Sequence, residues 1–380
     1  MSKLFVCSYQ SIGSYILNST EEEELENRGV VSTPRAISLR ECVLPFRFDN
    51  IKKVLCSSNQ VRVLTQEGFL YKLIFDLGIT RVLEEGEIDT GDVIVKDMSA
   101  FTYGVLYLTS DRLHQQTSLF GGCKNFYNNL GRENEGLKAN YEDFRHLFTP
   151  PAGRTITHIG SAFSFSVCVI DREEVHVSGQ NTMKKRTWDE VYHRSDKPIR
   201  DLVCGGFTIA LLQQDFSIVL FTDVGNETLT RHLSTGFDKV FGGYDRLILR
   251  SQSSIPSLEQ YSMYSNESVT PLSSHFSPDN WVRTCKWSEV VLNYAKDILL
   301  LSFPHERSNI FYFKSTTEND ASKLVDLNTY FSSNQNVQCS FNNHCIVFYP
   351  SGKSCQFFHQ RLKHHCESGK LNDMAIRLQA

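Results

Sequence analysis

The chain has 380 residues, 41% of them hydrophobic and 22% charged, a globular composition long enough to bury roughly 75% of its unfolded surface. Its 39 basic and 43 acidic residues leave a formal net charge of -4, too weak a field of either sign to draw the chain directly onto nucleic acid or an anionic membrane. No stretch approaches the roughly 18 consecutive apolar residues of a membrane span.

In chain order, the first expected strand is Leu4-Phe5-Val6-Cys7, which Ser8 and Gln10 cut too short for a signal peptide. The expectation is a soluble, monomeric, cytoplasmic protein, with the nucleus open as a second compartment. The acidic run Glu21 to Glu24 reads as a solvated loop. The 11 cysteines are odd in number, and Cys56, Cys168, Cys204 and Cys345 lie in apolar strand-like runs, so they are expected as reduced core thiols. In that setting the sequons at Asn18, Asn226 and Asn266 are idle.

From Ile51 onward one pattern recurs: a β-rich run, a small residue, a turn, and a second β-rich run. The clearest copy is Ile51 to Gly68, two strands and a Gly-closed hairpin, followed by Phe69-Leu70-Tyr71. Further copies start near Val95, Ile156, Ile199, Phe237, Trp287 and Asn334, at intervals between 38 and 61 residues. The fourth residue of each copy (Val54, Met98, Ile159, Leu202, Val240, Val290, Val337) is apolar, as a buried inner strand requires. Two residues on stand Cys56, Ala100, Ser161, Cys204, Gly242, Leu292 and Cys339, all small except Leu292. Nine residues after the anchor come Val63, Tyr107, Cys168, Leu211, Leu249, Leu299 and Ile346, which sets the expected register of the second strand.

Seven copies at this spacing predict an all-β, seven-bladed β-propeller over residues 1–360, with 361–380 as a tail whose Arg361 to Gln379 stretch is the best helix candidate. The opening Leu4 to Gly13 matches the tail of a repeat, so an N-terminal strand is expected to complete the last blade and close the ring. Ser354 to Phe358 is the other candidate for that place. Segments 132–153, 182–198 and 251–286 read as loops projecting from the ring.

Three stretches carry a family likeness. Cys204-Gly205-Gly206-Phe207-Thr208-Ile209-Ala210-Leu211 resembles the core of the RCC1 repeat; Gly122 to Gly131 resembles its trailing segment, and Val175 to Asn181 the strand and turn before it. The repeats are degenerate, lacking the family's turn His and its outer Trp-Gly. In size and layout the chain is similar to the fungal alpha-tubulin-suppressor type, and that resemblance implies a small metal-binding partner serving diphthamide synthesis and tRNA wobble-uridine modification.

Catalytic motifs are not found: there is no phosphate-cradling loop, paired-His zinc helix or nucleophile elbow. His344-Cys345 and the set His359, His364, His365, Cys366 lack zinc spacing, since three adjacent side chains cannot all turn to one ion, and no metal or cofactor is expected. Six of the seven copies carry aromatics just after the first strand: Phe101 with Tyr103, Phe163, Phe207, Tyr244, Tyr294 and Phe341. They either pack between blades or form a rim that meets a protein partner. Tyr103, Tyr244 and Tyr294, each with a polar tip, are the candidate binding residues. The expected function is a non-catalytic scaffold or adaptor; the alternative, implied by the RCC1 likeness, is guanine-nucleotide exchange on a small GTPase.

Overall fold

The computed structural model describes residues 2–8, 40–44, 51–57, 60–76, 81–101, 104–124, 129–131, 140–162, 164–181, 184–205, 208–224, 227–233, 236–242, 246–251, 258–262, 270–271, 291–295, 298–302, 310–315, 323–326, 337–341 and 345–350. These residues form strands and turns and no helix. None of their segments is a helix long and apolar enough to cross a membrane.

The strands assemble into antiparallel sheets, counted from the first repeat onward. Sheet 1 runs β3 (Ile51–Ser57), β4 (Gln60–Thr65), β5 (Leu70–Asp76), β6 (Arg81–Ile88), and sheet 2 runs β7 (Val93–Phe101), β8 (Gly104–Asp111), β9 (Thr117–Lys124), β10 (Asn140–Phe148). Sheet 3 runs β11 (Ile156–Ser161), β12 (Phe165–Ile170), β13 (Glu174–Asn181), and β13 then pairs with both β14 (Lys184–Arg186) and β15 (Val191–Arg194). Sheet 4 runs β16 (Ile199–Gly205), β17 (Thr208–Gln213), β18 (Ile218–Val224), β19 (Glu227–Leu233), and sheet 5 runs β20 (Phe237–Gly242), β21 (Arg246–Ser251), β22 (Leu258–Ser262), β23 (Thr270–Pro271). Sheet 6 runs β24 (Val291–Ala295), β25 (Ile298–Ser302), β26 (Ile310–Ser315), β27 (Lys323–Asp326). The last sheet mixes the two ends of the chain in the order β28 (Val337–Phe341), β29 (Cys345–Pro350), β1 (Ser2–Ser8), β2 (Arg40–Leu44).

The first strand of each sheet lies beside the first strand of the next, β3 by β7, then β11, β16, β20, β24 and β28, and β28 lies by β3. Apolar side chains therefore collect between sheets rather than in one central core. Leu64, Leu70 and Ile88 meet Val95, Met98, Val105 and Tyr107 between sheets 1 and 2. In sheet 4 the period of two divides one strand between two neighbours: Ile209 and Leu211 pack toward sheet 3, whereas Ala210 and Leu212 pack toward sheet 5. Because both faces are covered, β12 and β17 are buried along their whole length. Each buried Val or Leu there contributes about 1.5–3 kcal/mol.

Polar groups in these buried strands are matched across sheets. Arg62 on β4 is fully buried, and its Nε donates to the Tyr107 hydroxyl of β8 at 3.2 Å. Tyr107→Phe keeps the ring but removes that acceptor, so a cost of about 1–2 kcal/mol is expected, measured as a lowered urea midpoint. An unchanged midpoint would show that the hydroxyl contributes nothing to the joint between sheets 1 and 2.

The expected register holds in the first five sheets, where Val54 pairs with Val63, Met98 with Tyr107, Ile159 with Cys168, Leu202 with Leu211 and Val240 with Leu249. In the last two it is shifted. Leu299 pairs with Tyr294 instead of Val290, and Ile346 with Phe341 instead of Val337. The residues in the anchor relation are Leu292, opposite Leu301, and Cys339, opposite Phe348, two positions later than the apolar pattern indicated. The frame thus moves by two on each strand and the pairing by four, an even slip that leaves every side chain on its original face, so hydrophobic alternation cannot detect it.

The segments expected to be projecting loops hold outer strands as well: β10 lies within 132–153, β14 and β15 within 182–198, and β22 and β23 within 251–286. Ser354 to Phe358 and the 361–380 tail lie outside the described residues.

Candidate partner-binding surface

Of the three candidate tyrosines, Tyr103 and Tyr244 lie outside the described residues, as do Phe163 and Phe207. Tyr294 is placed on β24 and not in the turn after it, two residues beyond Leu292, with its backbone opposite Leu299. Phe341 is the last residue of β28, opposite Ile346. Both corrections follow from the two-residue shift: these aromatics occupy the column that is small in sheets 1 to 5, and the turn of sheet 6 falls after Ala295. The structure thus does not bring the three tyrosines together among its described residues.

At the opposite end of the first strands stands a recurring feature that apolar-column reading passes over. In sheets 1 to 5 the first strand carries one extra residue at the same position, a β-bulge at Lys52, Lys96, Thr157, Arg200 and Asp238. A bulge leaves that residue out of the ladder and bends the strand, re-aiming the side chains around it. The signal was present in the sequence as a polar pair after each apolar start: Lys52-Lys53, Lys96-Asp97, Thr157-His158, Arg200-Asp201 and Asp238-Lys239.

Some of these groups join one sheet to the next, and others brace their own sheet. The Lys52 ammonium donates to the Lys96 carbonyl at 2.6 Å, and Lys53 pairs with Asp97 at 2.7 Å. His158 Nε2 donates to the Arg200 carbonyl at 3.0 Å, and burial lowers the pKa of this imidazole. Arg200 lies over the Phe216 ring, 4.8 Å from its centroid, and Arg250 grips Asp238 with two hydrogen bonds of 2.7 and 2.8 Å. The hairpins at the same end bond forward as well: the Ile199 amide donates to the Arg172 carbonyl at 2.7 Å, and the Gly236 amide to the Phe216 carbonyl at 3.3 Å. Arg172 and Phe216 adopt left-handed φ values of 64° and 67°, a conformation disfavoured for side-chain-bearing residues. The forward bonds hold them there.

A second polar cluster sits on sheet 3. Glu174, on β13, accepts from Arg154 at 2.6 Å and forms an ion pair with Arg194 of β15 at 3.0 Å, and His176 Nε2 lies 3.8 Å from the same carboxylate. Arg154 also bonds Asp171 at 2.7 Å, fixing the β12–β13 turn to the chain entering β11. Alongside, the Trp188 indole donates to the Leu130 carbonyl, and the Trp188 carbonyl accepts from His176 Nδ1. Gly131, with φ +76°, passes so close to Trp188 that a Cβ would lie 2.5 Å from the ring. This explains why glycine ends the trailing RCC1-like segment. Gly179 in the second RCC1-like stretch, with φ +128°, lies against the Ser164 carbonyl, where a Cβ has no room.

Burial pushes the thiols of buried Cys168 and half-buried Cys204 above their ordinary pKa, the direction that disfavours the thiolate. Among the described residues, no three His, Cys, Asp or Glu side chains converge as metal ligands. His344 and the His359 to Cys366 set lie outside them.

Successive antiparallel sheets of four strands, five in sheet 3, with their first strands side by side define the fold as an RCC1-like β-propeller. The chain is similar to human WBSCR16 at 12% identity and a TM-score of 0.59, over 92% of this chain and 99% of that one. It is also similar to yeast RCC1 (Prp20), crystallised bound to Kap60, at 12% identity and a TM-score of 0.56, over 95% of this chain and 92% of that one. A second structure of Prp20p from Saccharomyces cerevisiae, described with its binding to Gsp1p and histones, matches at 12% identity and a TM-score of 0.56, over 96% and 95% of the two chains. No protein-family profile and no curated protein sequence matches the chain.

Proposed function

We propose that the chain is a non-catalytic scaffold, a seven-bladed ring closed by strands from both chain ends that presents its surface to protein partners. The neighbour relations of the first strands, from β3 round to β28 and back to β3, support the ring. So does the antiparallel pairing of β1 with β29, Phe5 opposite Phe348 and Ser8 opposite Cys345. The observation that carries the scaffold reading is the use made of polar groups: Lys52 and Lys53 of sheet 1 bind the Lys96 carbonyl and Asp97 of sheet 2, and His158 of sheet 3 binds the Arg200 carbonyl of sheet 4. Rigid sheets joined in this way suit recognition by surface loops.

Binding of Gsp1p and histones by Prp20p favours protein partners over small molecules, and it keeps exchange on a small GTPase as the second reading. The finer assignment, a cytoplasmic and nuclear adaptor for a small metal-binding protein of diphthamide synthesis and tRNA modification, rests on the likeness in size and layout to the alpha-tubulin-suppressor type.

Affinity capture of the tagged chain in buffers with and without guanine nucleotide, followed by mass spectrometry, separates these readings. The scaffold reading expects the same protein partner in both buffers. A small GTPase retained only without nucleotide would replace that reading with exchange. Joint replacement of Tyr103 and Tyr244 by alanine is expected to weaken capture while the variant stays folded; loss of folded protein instead would assign the two to packing between blades.

A further inference from the structure

Two left-handed turns beside the joint of sheets 3 and 4 carry side chains that their backbone does not ask for. The β12–β13 turn is a two-residue hairpin with Asp171 at φ 51° and Arg172 at φ 64°, closed by the Glu173 amide on the Ile170 carbonyl. Asn-Gly is the pair favoured in that conformation. The β17–β18 turn repeats the bond pattern of the β4–β5 turn: the Phe216 amide donates to Gln213 and the Gln213 amide to Ser217, as Gly68 does to Thr65 and Thr65 to Phe69. Phe216, at φ 67°, thus holds the left-handed place that glycine fills in sheet 1. The forward bonds from Ile199 and Gly236 use only the carbonyls of Arg172 and Phe216, which any residue supplies. They account for the conformation and not for the arginine or the phenylalanine.

The side chains gather at one place. The Arg172 carbonyl takes the Ile199 amide at 2.7 Å, so Arg172 stands across the joint from the covalent neighbour of Arg200. Both arginines are exposed. His158 ties them together: its Nε2 bonds the Arg200 carbonyl, and burial lowers its pKa, with the nearby Arg172 charge acting in the same direction. The Phe216 ring, 4.8 Å from Arg200, fixes the plane of that guanidinium and leaves the donors along its edge open. The carboxylates of the same two turns are engaged elsewhere, Asp171 by Arg154 and the Thr155 amide, Asp215 by Lys197 and Ser217. Neither the Arg172 nor the Arg200 guanidinium has a hydrogen-bonding or ionic partner among the described residues.

We propose that Arg172 and Arg200 form an anion-binding pair that takes carboxylates from an acidic segment of a protein partner, with Phe216 as the residue that positions Arg200. Glu173 and Asp201 follow the two arginines in the chain. The cationic spot is therefore small and flanked by negative charge, which fits one or two carboxylates and repels a polyphosphate chain. The inference rests on the protein-binding reading and gives it a contact at the end of the first strands opposite the aromatic turns.

The probe is a blocked, labelled peptide, Gly-Glu-Glu-Gly-Glu-Glu-Gly. Fluorescence anisotropy in about 50 mM salt is expected to show saturable binding by about 1 mM, with the Gln-for-Glu peptide at least about tenfold weaker. Arg172→Gln and Arg200→Gln should each weaken binding by at least about threefold while the variant stays folded. Phe216→Tyr should keep the affinity. Phe216→Gly should lower it about threefold while the unfolding midpoint does not fall, because relief of the left-handed strain offsets the lost ring contact. Absence of saturable binding, equal binding of the Gln peptide, or affinity indifferent to both arginine substitutions overturns the inference. Displacement of the peptide by about 1 mM inorganic phosphate also overturns it, by assigning the pair to a phosphate. Parent-like binding by Phe216→Gly overturns the positioning role. In each of those cases a partner recovered by affinity capture would leave the protein-binding reading standing.

Discussion

Trp188→Ala is expected to lower the free energy of unfolding by about 3–5 kcal/mol, a larger loss than either Tyr107→Phe or Glu174→Gln should cause. Trp188 comes from the turn between β14 and β15 of sheet 3, yet it is only 3% exposed and packs among Leu106, Leu108 and Leu119 of sheet 2 and Ile156, Ile159 and Ile170 of sheet 3. It stacks on Phe148 with 6.4 Å between ring centroids. Truncation opens a cavity where two sheets meet and leaves the buried Leu130 carbonyl without the indole N–H that now lies 3.2 Å away. Trp188→Phe separates the two effects. It fills most of the space but cannot donate, so about 1–2 kcal/mol of loss is expected from it. Urea unfolding of the two variants checks the ranking. An alanine variant within about 1 kcal/mol of the parent would mean that this contact does not hold sheets 2 and 3 together.

Trp188 also marks a limit of reading the sequence by columns. It lies in segment 182–198, which has no place in the repeat and reads as an outward loop, whereas the chain there turns back to cover the joint between sheets. The inner strands of sheets 1 to 5 were legible because three independent columns had to agree, and their pairings confirm the spacing residue by residue. Sheet 6 and the last sheet were legible only modulo two, and Leu292, the one large residue in the small column, was the sign of the shift in sheet 6, because it is itself the anchor. An outer strand such as β15 carries little apolar signal, since none of its residues is fully buried. The charged bulges were hidden for a different reason. A lone Lys52 or Arg200 reads as a solvated side chain, and only the pairing register shows that all five occupy the same extra position.

Glu174→Gln is expected to cost about 2 kcal/mol at pH 7, and the cost should vanish in acid. Glu174 is 8% exposed, and its carboxylate takes a hydrogen bond from Arg154 at 2.6 Å and forms an ion pair with Arg194 at 3.0 Å. Its pKa is held below the ordinary 4.5, chiefly by the Arg154 hydrogen bond, which outweighs the opposing effect of burial. Asp171 is lowered as well: burial pushes it up, but hydrogen bonds from Arg154 and the Thr155 amide outweigh that. A carboxylate whose pKa is lower in the folded chain than in the unfolded one stabilises the fold fully above the unfolded value. It loses that contribution as pH falls through the folded value. The gap in urea midpoint between parent and Glu174→Gln should therefore be constant from pH 7 to about 5, narrow below about 4.5 and close once Glu174 is protonated. The amide keeps an oxygen to accept from Arg154 but has no charge to offer Arg194, whose side chain is 73% exposed, so most of the loss belongs to the Arg154 contact. A gap that stays the same from pH 7 to 3 would show that Glu174 acts by shape and not by charge. The hold of Arg154 on the β12–β13 turn would then rest on Asp171 alone.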